Sequence, residues 1–184
     1  MTITIEQLRY VHLGSRDPGA AAAQAIALLG LQESWRSDGE VALRSDARAC
    51  TLAYAQAPLS RQSIGLEVRD TETLARAAQA LEAQGISAQR EDALAARRQV
   101  KALLAFTTPG GLSIELVVRP LHKGWRFHAS RDSGMSGLAA VAIRTPQIVR
   151  DEALWRDVFG LRIADWIGDA VYLGLRNNPA IRSA

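Results

Sequence analysis

The stretch RYVHLGSRDPGAAAAQAIALLG, residues 9–30, decides the fold, because it contains the signals of a strand followed by a helix. Residues 9–15 alternate in a way that predicts a strand. Asp17 is a residue type that caps helices and Pro18 favours a first turn, while Gly30 is typical of a helix end. A second strand is predicted to begin at Leu31.

The same pattern occurs twice more along the chain. Residues 63–68 predict a strand, Asp70 can cap a helix over residues 71–84, and Gly85 closes that helix. In the third copy, residues 138–143 predict the strand and Thr145-Pro146 opens a helix. That helix carries apolar side chains at helical spacing and ends at a glycine: Leu154, Trp155, Val158, Phe159 and Gly160.

About three strands are predicted after each of the first two helices, for example at residues 33–37, 41–44 and 50–55. The third copy is shorter, with strands predicted near residues 162–166 and 170–175 before Asn177-Asn178-Pro179 interrupts the pattern. The fold class is therefore α+β, built from repeated βαβββ modules. We expect a paired domain over residues 1–120, a linker over 121–137 and an incomplete third module over 138–184.

A single βαβββ module leaves one face of its small sheet uncovered. Two modules side by side cover each other, so the first two can form a complete domain. The third has no mate in this sequence. We therefore expect a homo-oligomer, with a dimer the simplest form, in which the third module pairs across subunits.

Composition excludes several classes of protein. The 184 residues are 48% hydrophobic and 22% charged with a formal net charge of +3, which is ordinary for a compact domain. Arg90, Arg97, Arg98 and Lys101 surround one predicted loop, and we interpret them as a solvated face rather than a nucleic-acid site. Cys50 is the sole cysteine, so no intrachain disulfide or CxxC knuckle can form. No stretch approaches a membrane span or a secretory signal, and we expect a cytoplasmic protein.

Two further stretches, PGGLSIEL at residues 109–116 and GLAAVAIRT at residues 137–145, complete a resemblance that covers nearly the whole chain. In module order and linker, the sequence resembles the vicinal oxygen chelate superfamily of glyoxalases, bleomycin-resistance proteins and dioxygenases. It is most similar to the type I extradiol catechol dioxygenases, such as the dihydroxybiphenyl dioxygenases.

That resemblance implies cleavage of a small aromatic diol by O₂ at Fe(II), which two histidines and one glutamate hold in the C-terminal paired domain. Such a ligand set leaves positions open for the diol and O₂. Ala140 occupies the place of the first histidine, and alanine cannot bind a metal. The other two ligands belong to a fourth module. We therefore expect a C-terminally truncated or inactive relative; the alternatives are a metal-independent protein that binds small aromatic molecules and a non-catalytic remnant.

The first two modules offer their own candidate site. Aligned on Asp17 and Asp70, the ligand positions of the family fall at Tyr10, Ser63 and Glu115, and His12 lies two residues beyond Tyr10 on the same strand face. Tyr10, His12 and Glu115 are thus candidates for a substrate-binding cavity, with Glu115 and His12 as weak metal candidates. The favoured interpretation is that they are hydrogen-bonded groups on the concave sheet face.

The remaining candidates point to no catalytic group. His122 and His128 flank Trp125 in the linker at a spacing that suits no common metal pair, so we expect them to anchor the linker. Cys50 lies in an apolar strand and is predicted to be buried and inert. The sequence contains no nucleophile elbow, P-loop or GxGxxG motif, and the catalytic residues stay unknown.

Overall fold

The computed structural model describes residues 2–129, 131–132 and 134–175, and its main feature is one mixed sheet of eight strands. The strands lie in the order β2-β3-β4-β1-β5-β8-β7-β6. Their bounds, in chain order, are β1 Gln7–Ser15, β2 Gln32–Ser37, β3 Glu40–Arg44, β4 Leu52–Gln56, β5 Gln62–Glu67, β6 Ala88–Arg90, β7 Val100–Thr107 and β8 Ser113–Pro120. Four helices accompany them: α1 Pro18–Leu29, α2 Thr71–Glu82, α3 Asp92–Arg98 and α4 Ile148–Asp157.

The predicted helix signals are confirmed in the first two modules. The Asp17 side chain accepts a hydrogen bond from the Ala20 amide at the start of α1, and Asp70 accepts one from the Thr73 amide at the start of α2. Each bond satisfies an amide that the helix itself leaves free. Gly30 ends α1 in the left-handed region at φ 71°, which a residue without a Cβ adopts at low cost.

The two modules are joined edge to edge through their first strands. Within each module the first strand runs parallel to the last, β1 with β4 and β5 with β8, while the other neighbours are antiparallel. β1 and β5 then pair antiparallel, with His12 opposite Ser63. The predicted α+β fold of paired βαβββ modules is confirmed.

Side chains alternate between the two faces of the sheet, as the strand geometry requires. In the second module, Ile64, Leu66, Ile114 and Leu116 point to the face that α2 covers and form its apolar core. The alternate residues point to the concave face, which we call the cup. Its buried apolar lining consists of Tyr10, Ala42, Cys50, Ala53, Ala95, Leu103 and Val117.

The short helix α3 was not predicted from the sequence. It lies between β6 and β7 and places Ala95 in the cup. The C-cap of α3 is Gln99, whose backbone is left-handed at φ 53° and ψ 50°. This conformation costs free energy in any residue that has a Cβ. The surrounding contacts must therefore hold α3 in place against this strain.

The third module is only partly as predicted. α4 forms, and Leu154, Trp155, Val158 and Phe159 are buried against the second module, where the Phe159 ring stacks on Phe106 with centroids 5.8 Å apart. The hairpin of β9 Arg162–Ile167 and β10 Ala170–Gly174 also forms, but it pairs with no other strand of the described chain. Residues 176–184, including the predicted break at 177–179, lie outside the described residues.

The prediction of a strand over residues 138–143 is wrong, since these residues form neither strand nor helix. Each first strand of the other modules is bonded on both edges, to the last strand of its own module and to the first strand of its mate. Residues 138–143 meet neither kind of partner in the described part of the chain, and an isolated strand leaves its amides without hydrogen bonds. The domain boundaries at residues 120 and 137 stay a prediction. No described helix is both long and apolar enough to cross a bilayer.

The packing where the β1 and β5 strands of the two modules meet depends on glycine at position 65. A Cβ at this position would lie 2.4 Å from Cζ of Tyr10, whose ring is buried across the β1–β5 pair. We predict that Gly65→Ala lowers the free energy of unfolding by about 1–3 kcal/mol, because the ring has to move in a close-packed core. Urea titration measures this loss.

Gly124→Ala is the matched control, since a Cβ there would meet no atom within 4 Å. Equal stability of Gly65→Ala and the parent protein would show that the Tyr10 ring is not confined in this way.

Candidate functional site

The cup contains the predicted site residues, and they are buried. Tyr10 and His12 point into it from β1, Glu115 from β8 and Ser63 from β5. Tyr10 Oη donates to Glu115 Oε2 at 2.5 Å, and Ser63 Oγ donates to Glu115 Oε1 at 2.6 Å. The three positions inferred from the internal alignment therefore do meet, whereas His12 contacts a different carboxylate.

The centre of this cluster is Arg98, the last residue of α3, which is only 8% exposed. Its Nε donates to Glu115 Oε2 at 2.9 Å and its Nη2 donates to Glu115 Oε1 at 3.1 Å. Two parallel bonds of this kind match the planar fork of a guanidinium to the two oxygens of a carboxylate. The third nitrogen, Nη1, donates to Glu40 Oε1 at 2.9 Å.

Glu40, at the start of β3, connects Arg98 to His12. His12 Nε2 lies 2.6 Å from Glu40 Oε1 and 3.0 Å from Arg98 Nη1. Because the ionised Glu40 carboxylate has no hydrogen to donate, and because its contact with Nε2 is the shorter of the two, we assign the hydrogen to Nε2 and the hydrogen bond to Glu40. Arg97 Nη2 donates to the second oxygen of Glu40 at 2.8 Å from a side chain that is mostly exposed.

The two carboxylates are held in their charged form. Burial alone would raise the pKa of Glu40, but hydrogen bonds from His12 and Arg97, together with the charges of His12 and Arg98, lower it to about 2. Burial would also raise the pKa of Glu115. The hydrogen bonds and charge of Arg98 outweigh that effect, and hydrogen bonds from Ser63 and Tyr10 add to them, so the pKa of Glu115 is lowered as well. The cup is thus a buried ionic network, which we call the Arg98 network.

The pKa of the Arg98 guanidinium is raised, because Glu115 and then Glu40 outweigh the cost of burial. Burial, followed by the charge of Glu115, raises the pKa of Tyr10 well above its ordinary value. At neutral pH the network therefore has one buried guanidinium between two carboxylates, with a neutral phenol donating to one of them.

This arrangement corrects the interpretation of the basic residues near residue 98. Arg90, Arg97 and Lys101 are exposed as expected, but Arg98 is buried. The sequence analysis also missed Glu40. No local signal marks this pair, because Arg98 and Glu40 are 58 residues apart and either could be a solvated surface residue.

The observed arrangement does not fit a metal ion. The guanidinium of Arg98 lies within hydrogen-bonding distance of Glu40 and Glu115 and beside His12, so these side chains surround a cation already. Among the described residues, no three His, Cys, Asp or Glu side chains converge closely enough to hold a metal. Ala140, at the family's first histidine position, is exposed and outside any strand.

The linker is anchored through residues 125–127, whereas His122 and His128, the predicted anchors, are both exposed. The guanidinium of Arg44 is fully buried and donates to the backbone carbonyls of Trp125 and Arg126, both at 3.2 Å. It also lies 5.2 Å from the Trp125 ring centroid and 5.8 Å from that of Phe127, within the range of cation–π attraction. His122 forms a β-bridge with Arg48, and His128 is exposed.

Cys50 is buried in the cup, as predicted. Desolvation raises the pKa of its thiol to about 12, so the nucleophilic thiolate is scarce at neutral pH.

An open groove lies elsewhere in the described part of the chain. A groove of about 670 Å³ lies between α4 and the β6–β7 edge of the sheet. Phe106 and Leu154 contribute apolar surface, and Arg150, Asp157 and Glu91 contribute charge. The groove has the size of a small-molecule site, but the residues predicted from the sequence do not line it.

The depressed carboxyl pKa values predict acid sensitivity. A group whose pKa is lower in the folded protein stabilises it above the unfolded pKa, and this contribution is lost as the pH falls through the folded pKa. For Glu40 the window runs from 4.5 down to about 2. We predict that the free energy of unfolding falls by up to about 3 kcal/mol from Glu40 across this window.

Urea titrations at a series of pH values measure the slope. Glu40→Gln should flatten it, whereas Glu82→Gln, at an exposed position with no comparable contacts, should leave it unchanged. An identical slope in Glu40→Gln and the parent protein would contradict the assignment.

No protein-family model matches the chain. Its sequence is 29% identical over 174 residues to biphenyl-2,3-diol 1,2-dioxygenase of Paraburkholderia xenovorans strain LB400, a match that covers 90% of this chain and 58% of that protein. The chain thus spans less than two thirds of the length of this curated relative.

Solved structures share the fold. A catechol 2,3-dioxygenase superposes with a TM-score of 0.76 at 23% identity, covering 92% of this chain and 61% of the other. The Mn(II)-bound glyoxalase from Novosphingobium aromaticivorans also superposes with a TM-score of 0.76, at 18% identity, covering 92% of this chain and 58% of the glyoxalase chain. The resemblance to extradiol dioxygenases, and the fold it implies, are confirmed.

Proposed function

We propose that this chain is a scaffold of the extradiol dioxygenase type, whose paired domain binds no metal and which does not cleave an aromatic ring by itself. The observation that carries the proposal is the Arg98 network, which fills the concave face of the paired modules with a guanidinium and its hydrogen-bond partners. The dioxygenase resemblance supports the lineage.

The chemistry explains why a scaffold role is favoured. Ring cleavage by Fe(II) requires protein ligands on one side of the ion and open positions for the diol and O₂. Glu115 is the one carboxylate at a family ligand position, and both of its oxygens accept hydrogen bonds from Arg98, Ser63 and Tyr10. Ala140 stands at the position of the family's first histidine. The described residues therefore provide a folded support for a catalytic module but no ferrous centre.

The test is iron content and oxygen uptake after anaerobic purification with ferrous iron. We expect far less than one iron per chain and no oxygen uptake with catechol or 2,3-dihydroxybiphenyl. The Paraburkholderia xenovorans relative, prepared in parallel, is the positive control. Near-stoichiometric iron together with oxygen uptake would contradict the proposal.

A second candidate function is metal-independent binding of a small aromatic molecule, and the groove beside α4 favours it. The half-buried side chains of Ile86 and Ala105 leave apolar surface for a ring, and the exposed Arg150 offers a cation to a phenolate or carboxylate. Calorimetric titration of the same metal-free sample with 2,3-dihydroxybiphenyl separates the two. Ala153→Trp should abolish binding, because the larger side chain fills the groove, whereas Ala164→Trp on exposed β9 should retain it. This pair of results would support the second function.

The partner of the third module is proposed to be the third module of a second copy. The β9–β10 hairpin exposes Ile167 and Tyr172 on one face, at 59% and 53% of their surfaces, and one face of a βαβββ sheet requires a cover. The β1–β5 joint shows how two modules of this chain cover each other. A cytoplasmic location, expected from the sequence, stays a prediction.

We predict that the purified chain sediments at twice the mass of one copy, and that Ile167→Glu combined with Tyr172→Glu shifts it to the mass of a single copy, because charged side chains at the interface resist burial. Leu59→Glu, on an equally exposed leucine between β4 and β5, is the control and should leave the dimer intact. A monomeric parent protein at micromolar concentration would contradict the proposal.

A further inference from the structure

We infer that the cup is a binding site for a planar guanidinium, which the chain fills with its own Arg98. This inference does not depend on the proposed dioxygenase lineage. It rests on the geometry of Glu115 and Glu40, which approach the guanidinium along two different edges.

The contacts of Arg98 use the guanidinium plane rather than charge alone. The Nε and Nη2 edge meets both oxygens of Glu115, while Nη1 meets Glu40. Glu115 is 3% exposed and Glu40 is 2% exposed, so the two acceptors are fixed by the sheet and shielded from water. Acceptors separated in this manner match the planar donors of a guanidinium better than an ammonium, whose charge is concentrated at one point.

The same geometry argues against a spherical cation in this place. The described carboxylate and imidazole groups do not converge in a set of three that could hold one metal ion. Ser63 and Tyr10 also donate to Glu115, which leaves its oxygens engaged from several directions. A metal ion would need these carboxylates to be drawn together, whereas a guanidinium bridges them where they stand.

The backbone around α3 indicates that the position of Arg98 is enforced. Gln99, the next residue, is in the left-handed region at φ 53°, and its buried side-chain Oε1 has no hydrogen-bond partner among the residues that the structure describes. Both features cost free energy. They are tolerated where the guanidinium placed by this turn meets two buried carboxylates.

The experiment removes the internal ligand and supplies it from solution. Arg98→Ala should lower the melting temperature, because two buried carboxylates lose their cation. Ethylguanidinium chloride, which replaces the deleted end of the side chain, should raise the melting temperature of Arg98→Ala by about 3–6 °C at tenfold excess over its dissociation constant. Ethylammonium chloride at equal concentration should give no such rise, and the parent protein should respond to neither.

Arg97→Ala is the matched control. Arg97 also donates to Glu40, but its side chain is mostly exposed, so its loss opens no enclosed site. We expect no specific effect of ethylguanidinium on this variant. If Arg98→Ala does not fold in buffer, its refolding yield from urea should rise with ethylguanidinium and not with ethylammonium.

Two results would overturn the inference. The first is an equal change in the melting temperature of Arg98→Ala with ethylguanidinium and with ethylammonium, which would mean that the cup does not distinguish a planar cation from an ammonium. The second is stabilisation of Arg98→Ala by manganese(II) with none by ethylguanidinium, which would make the cup a metal site.

Discussion

The ion pair between Arg98 and the two carboxylates Glu40 and Glu115 is the interaction on which the paired domain depends. Glu40 belongs to the first module, whereas Glu115 and Arg98 belong to the second, so the guanidinium joins the modules across the cup. The modules are also connected by the β1–β5 pair and by the Tyr10 phenol, which donates to Glu115. Removing one member of a buried pair costs about 3–5 kcal/mol because it strands the other charges in a medium that solvates them poorly. The network therefore sets the register of two modules that a small sheet alone would hold weakly.

Much of the fold could be predicted because its signals are local. The aspartates that cap α1 and α2, and the glycines that follow the helices, act through their own backbone neighbourhood, so their spacing revealed the repeat. The shared face of Tyr10 and His12 followed from strand geometry in the same way. α3 gave no comparable signal, because its N-cap residue Glu91 makes no side-chain cap bond and its C-cap is a left-handed glutamine rather than a glycine.

The centre of the site could not be predicted, because its partners are far apart in sequence. Arg98 is 58 residues from Glu40 and 86 from His12, and a charged residue near a loop resembles a solvated one until its neighbours are known. The strand expected at residues 138–143 failed for a related reason. A strand exists through its hydrogen-bonded neighbours, which the local sequence does not specify.

The burial of Arg98 also limits how this domain can change over evolutionary time. A substitution that removes the guanidinium strands two carboxylates, and one that removes a carboxylate strands part of the guanidinium. Any route from this cup to a metal centre, or back from one, passes through an intermediate that is less stable than either end. A protein near its stability threshold tolerates few such intermediates. Once an arginine has taken this position, new chemistry arises more easily on another surface of the molecule than in the cup.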